Sequence, residues 1–234
     1  MSQSHDGEAL NDGLVLDLPY AEGLNEAVIR GRSKNSMDAL VNTCVWTGPR
    51  STGIYVIFHY GQLRNTDVIQ IGEDKDKQLL EPGGEFTIAI WLAPGLDHSA
   101  DFFRKFQTAV GGYRCYLKAS GILGIETIQG VTSQVSETVA GAINVSGSWQ
   151  LVVITVNDGG LARFFVDGEE IAKGVQASHI APTVTPGIYT EMGGEYGSGG
   201  NFIGATARPK LWTVVKSEME VKQLYSKERS LLGV

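Results

Sequence analysis

The chain has few of the residues that build disulfide frameworks, metal centres and basic ligand-binding faces. It contains 2 cysteines and 4 histidines, and its 19 lysines and arginines are outnumbered by 26 acidic residues, which gives a formal net charge of −7. Polyanions bind to basic faces, so this charge argues against nucleic acid as a partner and disfavours acidic glycans and anionic membranes. No apolar run is long enough to cross a bilayer, so the sequence predicts no membrane span.

Catalytic and metal-binding patterns are missing as well. The histidines do not share ligand spacing with Cys44 or Cys115, and no G-x-S-x-G elbow occurs. The acidic clusters fall at predicted turns or in a helix cap, whereas a glycosidase needs two carboxylates that flank a glycosidic bond. We therefore predict a protein that is not an enzyme. Cys44 and Cys115 are interpreted as buried reduced thiols, with a disulfide between them as the alternative.

The first residues also lack the basic and apolar segments of a secretory signal. Residues 1–13 are polar and carry too few apolar groups to anchor themselves, so we expect a flexible N-terminal arm. Residues 14–234 are sufficient for one well-packed β domain.

The most informative segment spans residues 149–172. Its β-branched and aromatic runs are broken only at residues 157–160 and 167–168, which predicts three consecutive antiparallel strands joined by tight glycine turns. Both faces of the first run are apolar, so this strand should lie inside a two-layer core.

Further strands are predicted at residues 14–19, 41–46, 53–60, 67–72 and 86–92. Residues 93–112 and 173–200 are rich in helix and strand breakers, so we predict an irregular rim excursion or short helix in the first and a loop in the second. Near the C-terminus, Ser217 and Glu220 form a capping-box pattern that predicts the start of a packing helix.

Several segments together resemble a known family. They are Gly84–Trp91, Tyr113–Gly121, residues 149–172, Asn201–Gly204, Leu211–Val215 and Ser217–Tyr225. In this order they are similar to the strand and helix motifs of the laminin G-like domains of the concanavalin A-like lectin/glucanase superfamily. The resemblance implies an all-β fold, a two-sheet antiparallel jelly-roll sandwich with a short C-terminal helix, as a single domain over residues 14–234.

The resemblance also raises the question of calcium. Residues 33–38 are similar to a calcium-binding loop of many laminin G-like domains, but Gly31 and Arg32 stand where the family often has an aspartate. Lys34 adds a second positive charge, which opposes the binding of a hard cation. We assign no cofactor and keep calcium at this loop as the alternative.

Aromatic residues in the predicted loops could form a platform for sugar rings. The candidates are Phe102, Phe103, Tyr113, Tyr189 and Tyr196. We predict a ligand site on the rim formed by residues 94–112 and 187–201, in which Tyr189 or Tyr196 stacks on a glycan and Glu195 or Asn201 binds its hydroxyls. Trp91 and Trp149 match family core strands and are predicted to be buried, while Trp46 and Trp212 could face either way.

These observations favour a non-catalytic binding or assembly protein. Members of the family without leader or partner domains are often parts of phage-type particles, so we expect a virion surface or tail-associated protein, made in the host cytoplasm. Its partners would be glycans or cell-surface polysaccharide, other virion proteins or further copies of itself. The alternatives are a stand-alone cytoplasmic or soluble lectin module and an atypical glycoside hydrolase.

Overall fold

The computed structural model describes residues 10–18, 28–29, 31, 39–42, 45–47, 55–58, 68–71, 80, 83–95, 97–183, 187–194 and 201–234, with backbone only at 28–29 and from 39 to 58. Their strands form two antiparallel sheets of eight strands each and one pair of short strands. No helix of this described part is long and apolar enough to cross a membrane.

The first sheet contains the longest apolar strands. From edge to edge it runs β15 (Glu169–Glu170), β14 (Arg163–Val166), β12 (Gln150–Val156), β7 (Phe86–Pro94), β18 (Gly204–Trp212), β5 (Tyr55–Phe58) and β4 (Val45–Thr47), with β1 (Leu14–Asp17) also paired to β18. Every residue of β7 and β12 is buried. Both strands therefore lie between two covering layers, as the apolar runs predict.

The second sheet begins with a meander of consecutive strands. Its order is β11 (Thr132–Glu137), β10 (Ile122–Gln129), β9 (Gly111–Lys118), β8 (Ala100–Gln107), β17 (Thr190–Met192), β6 (Val68–Ile71), β3 (Ala39–Asn42) and β2 (Val28–Ile29). β13 (Gly160–Leu161) pairs with β16 (Ser178–His179) outside both sheets. One hydrophobic core joins the sheets, with Phe86 of the first 5.6 Å from Tyr113 of the second between ring centroids.

The hairpins predicted for residues 149–172 are confirmed. β12 pairs with β14, and β14 pairs with β15, both antiparallel. The turn between β14 and β15 has Asp167 at φ 53° and Gly168 at φ 88°. Two consecutive residues with positive φ match the right-handed twist of the flanking strands. Asp167 is held there because its carboxylate accepts a hydrogen bond from the Leu151 amide at 2.8 Å.

The predicted C-terminal helix is α1 (Glu218–Glu228), and its capping box is confirmed. The Ser217 hydroxyl accepts from the Glu220 amide at 3.3 Å, and the Glu220 carboxylate accepts from the Ser217 amide at 2.8 Å. The helix covers the outer face of the first sheet, where the ring of Tyr225 stacks on Trp91 at 5.9 Å. Its Glu228 is buried and accepts a hydrogen bond from the indole of Trp91 at 2.9 Å.

The start of the described chain is attached to this same side of the domain. The carbonyl of Leu10 accepts from the Trp212 indole at 2.7 Å, and the carbonyl of Asp12 accepts from the Lys216 ammonium at 3.0 Å. Residues 10–13 of the expected arm thus contact the domain, while residues 1–9 lie outside the described residues.

The prediction for residues 93–112 is wrong. They end β7, form all of β8 and begin β9, with only short turns between. A bulge in the pairing of β8 with β9 lies between Asp101 and Phe103. Phe102 and Phe103 are both completely buried, so the extra residue lets two successive aromatic rings enter the core.

Burial decides the predictions for four further aromatic residues. Tyr113, a predicted loop aromatic, is a core residue of β9 that stacks on Phe103 at 6.3 Å. Trp91 is completely buried as predicted, whereas Trp149 is only partly buried and packs at the edge of the core. Trp212 lies opposite Thr87 on the outer face of the first sheet, where it is buried under the N-terminal segment. The side chain of Trp46 lies outside the described residues.

Candidate ligand-binding site

Polar side chains cross the outer face of the second sheet. Residues opposite one another on neighbouring strands project to the same face. One such line of strand partners comprises Gln70, Glu191, Arg104, Arg114, Glu126 and Val135, on β6, β17, β8, β9, β10 and β11 in that order. Side chains alternate along a strand, so the residues next to Arg114 on β9, including Cys115, point into the core and are buried. Cys115 has a free thiol, and Cys44 lies outside the described residues.

Arginine and carboxylate side chains form an ion-pair network along this line. The guanidinium of Arg114 is 2.7 Å from the carboxylate of Glu126 and 3.5 Å from that of Asp101. Arg104 is 3.5 Å from the second oxygen of Asp101 and 4.0 Å from Glu191. Asp101 thereby links the two arginines, and each arginine is held between two carboxylates.

A second row beside the line extends this network. The hydroxyl of Tyr116 donates to the carboxylate of Glu137 at 2.6 Å, and the ammonium of Lys118 pairs with the same carboxylate. The Arg114 guanidinium lies 4.7 Å from the ring centroid of Phe106 and 5.3 Å from that of Tyr116. Cation–π contacts on two sides fix its plane in addition to the ion pairs.

A glycine on β10 makes room for the Tyr116 ring. A Cβ atom at Gly124 would come within 2.4 Å of two carbon atoms of that ring. Such a distance is far below a van der Waals contact, so the tyrosine can lie across β10 only because residue 124 has no side chain.

Burial shifts the pKa values of these groups in different directions. Burial raises the pKa of Asp101, and the charges of Arg114 and Arg104 only partly oppose the rise. Burial also disfavours the charged form of Glu137, but hydrogen bonds from Lys118 and Tyr116 outweigh it and lower the pKa of Glu137. Neighbouring carboxylates on one face therefore differ in acidity because their partners differ.

Two open clefts lie over the network and meet at Arg104. The first has a volume of about 530 Å³ and lies over Asp101, Arg114, Tyr116 and Glu137. The second, of about 570 Å³, lies over Gln70, Phe106, Tyr189 and Glu191. The side chains of Arg114 and Lys118 are 37% and 47% exposed, so both retain hydrogen-bond donors that can reach a ligand.

The predicted site residues lie in different places. Tyr189 is half-buried and lines the second cleft. Asn201 lies behind the first cleft: its backbone bridges to Asp101 and its carbonyl is 3.0 Å from the ring nitrogen of His98. The side-chain oxygen of Asn201 is buried and packs where a Cβ of Gly194 would lie. Glu195 and Tyr196 lie outside the described residues, as does the loop considered for calcium.

Sequence reasoning missed most of the residues that line the clefts. Asp101, Glu126, Glu137 and Glu191 are separated along the chain and meet only because four strands place them on one face. The alternation of Arg114, Tyr116 and Lys118 with apolar residues on β9 was the available signal, because it marks a strand with one polar face. Among the described residues, no group of three or more His, Cys, Asp or Glu side chains could hold a metal ion.

The fold and the site together define a jelly-roll sandwich with a polar cleft on one sheet. Residues 63–222 match the laminin G-type family model described as the concanavalin A-like lectin/glucanases superfamily. The chain belongs to this superfamily, and the fold implied by its sequence motifs is confirmed. Sequence comparison with curated proteins gives no match.

Solved structures of similar fold include two toxin binding domains. The binding domain of botulinum neurotoxin serotype G aligns with a TM-score of 0.69 at 12% identity over 93% of this chain and 51% of its own. That of Paraclostridial Mosquitocidal Protein 1 gives 0.63 at 15% identity over 93% and 53%. The chain thus spans about half the length of these relatives.

A third structure matches over nearly its whole length. Domain 4 of AbnA, an extracellular arabinanase from Geobacillus stearothermophilus solved in complex with arabinotriose, aligns with a TM-score of 0.63 at 13% identity, covering 91% of this chain and 98% of that domain. At these identities the similarity shows the fold.

Proposed function

We propose that the chain is a non-catalytic glycan-binding module whose ligand lies in the clefts on the outer face of the second sheet. The observation that carries the proposal is the fixed position of Arg114, held by two carboxylates and two aromatic rings while more than a third of its side chain stays exposed. A donor fork that is already ordered loses little entropy when it binds hydroxyl groups.

The composition of the clefts supports a sugar ligand. Carboxylates that accept, arginine and lysine groups that donate, and the half-buried ring of Tyr189 provide the polar and stacking contacts that sugars use. The arabinotriose complex of the AbnA domain is an instance of this fold with a bound glycan. The ion pairs support binding over catalysis. Each carboxylate of the network is paired with an arginine or lysine, which in some cases it shares with a second carboxylate.

A glycan array probed with the protein displayed multivalently tests the proposal. The matched variants are Arg114→Met and Arg163→Met: Arg163 is 35% exposed, pairs with Glu170 at 2.7 Å and stacks over Phe165 at 4.9 Å, but lies in the first sheet. We expect loss of binding only for Arg114→Met. A blank array for the parent protein, or equal loss in both variants, would contradict the proposal.

Three of the predicted rim residues enter the same proposal. Tyr189 would stack on the sugar at the second cleft, with Tyr196 and Glu195 as further contacts. Asn201 is left out of the proposal, because its side-chain oxygen is buried against Gly194 and the residue lines neither cleft. Replacing Tyr189 and Tyr196 together by Ala should abolish binding and leave the melting temperature unchanged. Retained binding in this double variant would confine the site to the first cleft.

Glycoside hydrolysis is the second candidate, because Asp101 combines a raised pKa with a position in the same cleft as Glu126 and Glu137. A general acid requires a carboxyl group whose pKa is raised above its ordinary value. Release of reducing sugar from any glycan bound on the array, abolished by Asp101→Asn, would establish it. Binding without release favours the module.

A more specific hypothesis is that this glycan-binding module is part of a virion. It rests on the family resemblance, and weak binding at each site would be raised by repetition on a particle surface. Co-purification of the protein with capsid or tail proteins is the expected result. A soluble monomer or small oligomer that binds glycans alone would favour the stand-alone lectin.

A further inference from the structure

The two clefts form one path that crosses the strands. The line from Gln70 to Val135 contains one residue from each of six neighbouring strands. Five steps between neighbouring strands span about 24 Å, about the length of four or five sugar units in an extended chain. Arg104 lines both clefts, so the clefts adjoin at this residue along the line.

The opposite ends of this path offer different contacts. At the β10 and β11 end lie Glu126 and Glu137, whose carboxylates accept hydrogen bonds. At the β6 and β17 end lies Tyr189, whose ring can stack on a sugar face. A ligand confined to one sugar unit could use only one end, whereas an extended chain would use both.

The charge of the path disfavours acidic sugars. Among the described residues, its ionisable groups are the carboxylates of Asp101, Glu126, Glu137 and Glu191 and the cations of Arg104, Arg114 and Lys118, which is one more carboxylate than cations. The whole chain carries a formal charge of −7. A uronate or sialate would therefore meet like charge both in the clefts and over the surface.

Resting on the proposed function, we infer that the ligand is an internal segment of a linear, uncharged polysaccharide that lies across the strands and fills both clefts. Affinity should then depend on chain length, because each added unit reaches further polar groups until the path is filled. Beyond about five units no new contacts form, and affinity should level off.

Calorimetry with oligosaccharides of two to six units tests this inference. The probes are arabino-, xylo-, cello- and malto-oligosaccharides, with oligogalacturonates as the acidic series. In a bound neutral series we expect affinity to rise about tenfold or more from two units to five. Tyr189→Ala and Glu126→Gln should each weaken binding of five units, and only one of the two should weaken binding of two units. Met219→Ala, on an exposed helix position, is the control.

The outcomes separate the inference from the proposed function. Equal affinity for two and five units, or preference for oligogalacturonates, would overturn the inference and leave a glycan-binding module. Binding to none of the oligosaccharides or array glycans would overturn the proposed function itself. Both variants losing two-unit binding equally would indicate one short site and also contradict the extended path.

Discussion

Acid should destabilise the domain through one buried histidine. His179 is completely buried, with Nδ1 2.8 Å from the hydroxyl of Thr127 and Nε2 2.8 Å from that of Ser136. Burial lowers the pKa of His179 to about 4 from its ordinary 6.5. The folded state therefore holds the neutral ring, whereas the unfolded chain takes up a proton as the pH falls below 6.5.

The sign and size of the effect follow from this difference. The stabilising contribution is fully present above pH 6.5 and is lost between pH 6.5 and 4. One pKa unit corresponds to about 1.4 kcal/mol, so the free energy of unfolding should fall by about 2 kcal/mol between pH 7.5 and 5. The lowered pKa of Glu137 and Glu228 adds its own loss only below their ordinary value of 4.5.

Urea unfolding at pH 7.5, 6.5, 5.5 and 5 measures this change, and NMR titration of the imidazole reports its pKa directly. His179→Gln should be less stable than the parent at pH 7.5 but nearly independent of pH over this window. A parent protein of equal stability at pH 7.5 and 5, or a variant that keeps the parent slope, would refute the assignment to His179.

The remaining predictions concern packing and the site. Ser217→Ala should cost about 1 kcal/mol in thermal melts, because the helix loses its N-cap; an unchanged melt would show that the cap contributes little. Trp91→Ala should cost about 3–5 kcal/mol by urea unfolding, and a fully stable variant that has lost binding would make this tryptophan a ligand contact instead. Glu228→Gln should cost about 3 kcal/mol in urea unfolding, because Arg208 then has a neutral partner and Lys210 keeps only the carboxylate of Asp17, and equal stability would show that these cations relax to solvent. Gly124→Ala should displace the Tyr116 ring and weaken glycan binding more than stability, which calorimetry and a melt together would distinguish.

The sequence predicts the elements that local chemistry determines. The apolar runs of β7 and β12, the turn at Asp167 and Gly168 and the cap at Ser217 each follow from a few adjacent residues, and each is found as predicted. The prediction for residues 93–112 is wrong because Pro, Gly and Asp, on which the predicted excursion rests, also occur in turns that are only a few residues long. The bulge in β8 also places two adjacent aromatic residues, Phe102 and Phe103, in the core. This breaks the alternation of buried and exposed residues by which a strand is recognised in a sequence.

The candidate site could not be found in the same way, because it depends on register. Asp101 and Glu126 share one arginine although they are 25 positions apart in the sequence. Short β17 also escaped prediction, although it places Glu191 opposite Arg104 in the middle of the sheet. A three-residue strand inside a glycine-rich segment has too little pattern to be distinguished from a loop.

The two sheets carry similar chemistry on their outer faces but differ in what covers it. On the first sheet, Glu228 of α1 accepts from the Trp91 indole and lies 2.8 Å from Lys210, so carboxylate, cation and aromatic ring are sealed by the helix. On the second sheet, Glu126, Arg114 and the rings beside it form the same combination under open clefts in the part of the chain that is described. A sealed network contributes to stability and register, whereas an open one with exposed donors can exchange water for ligand hydroxyls. This difference in cover, more than the identity of the residues, is the reason why we propose the second sheet as the binding face.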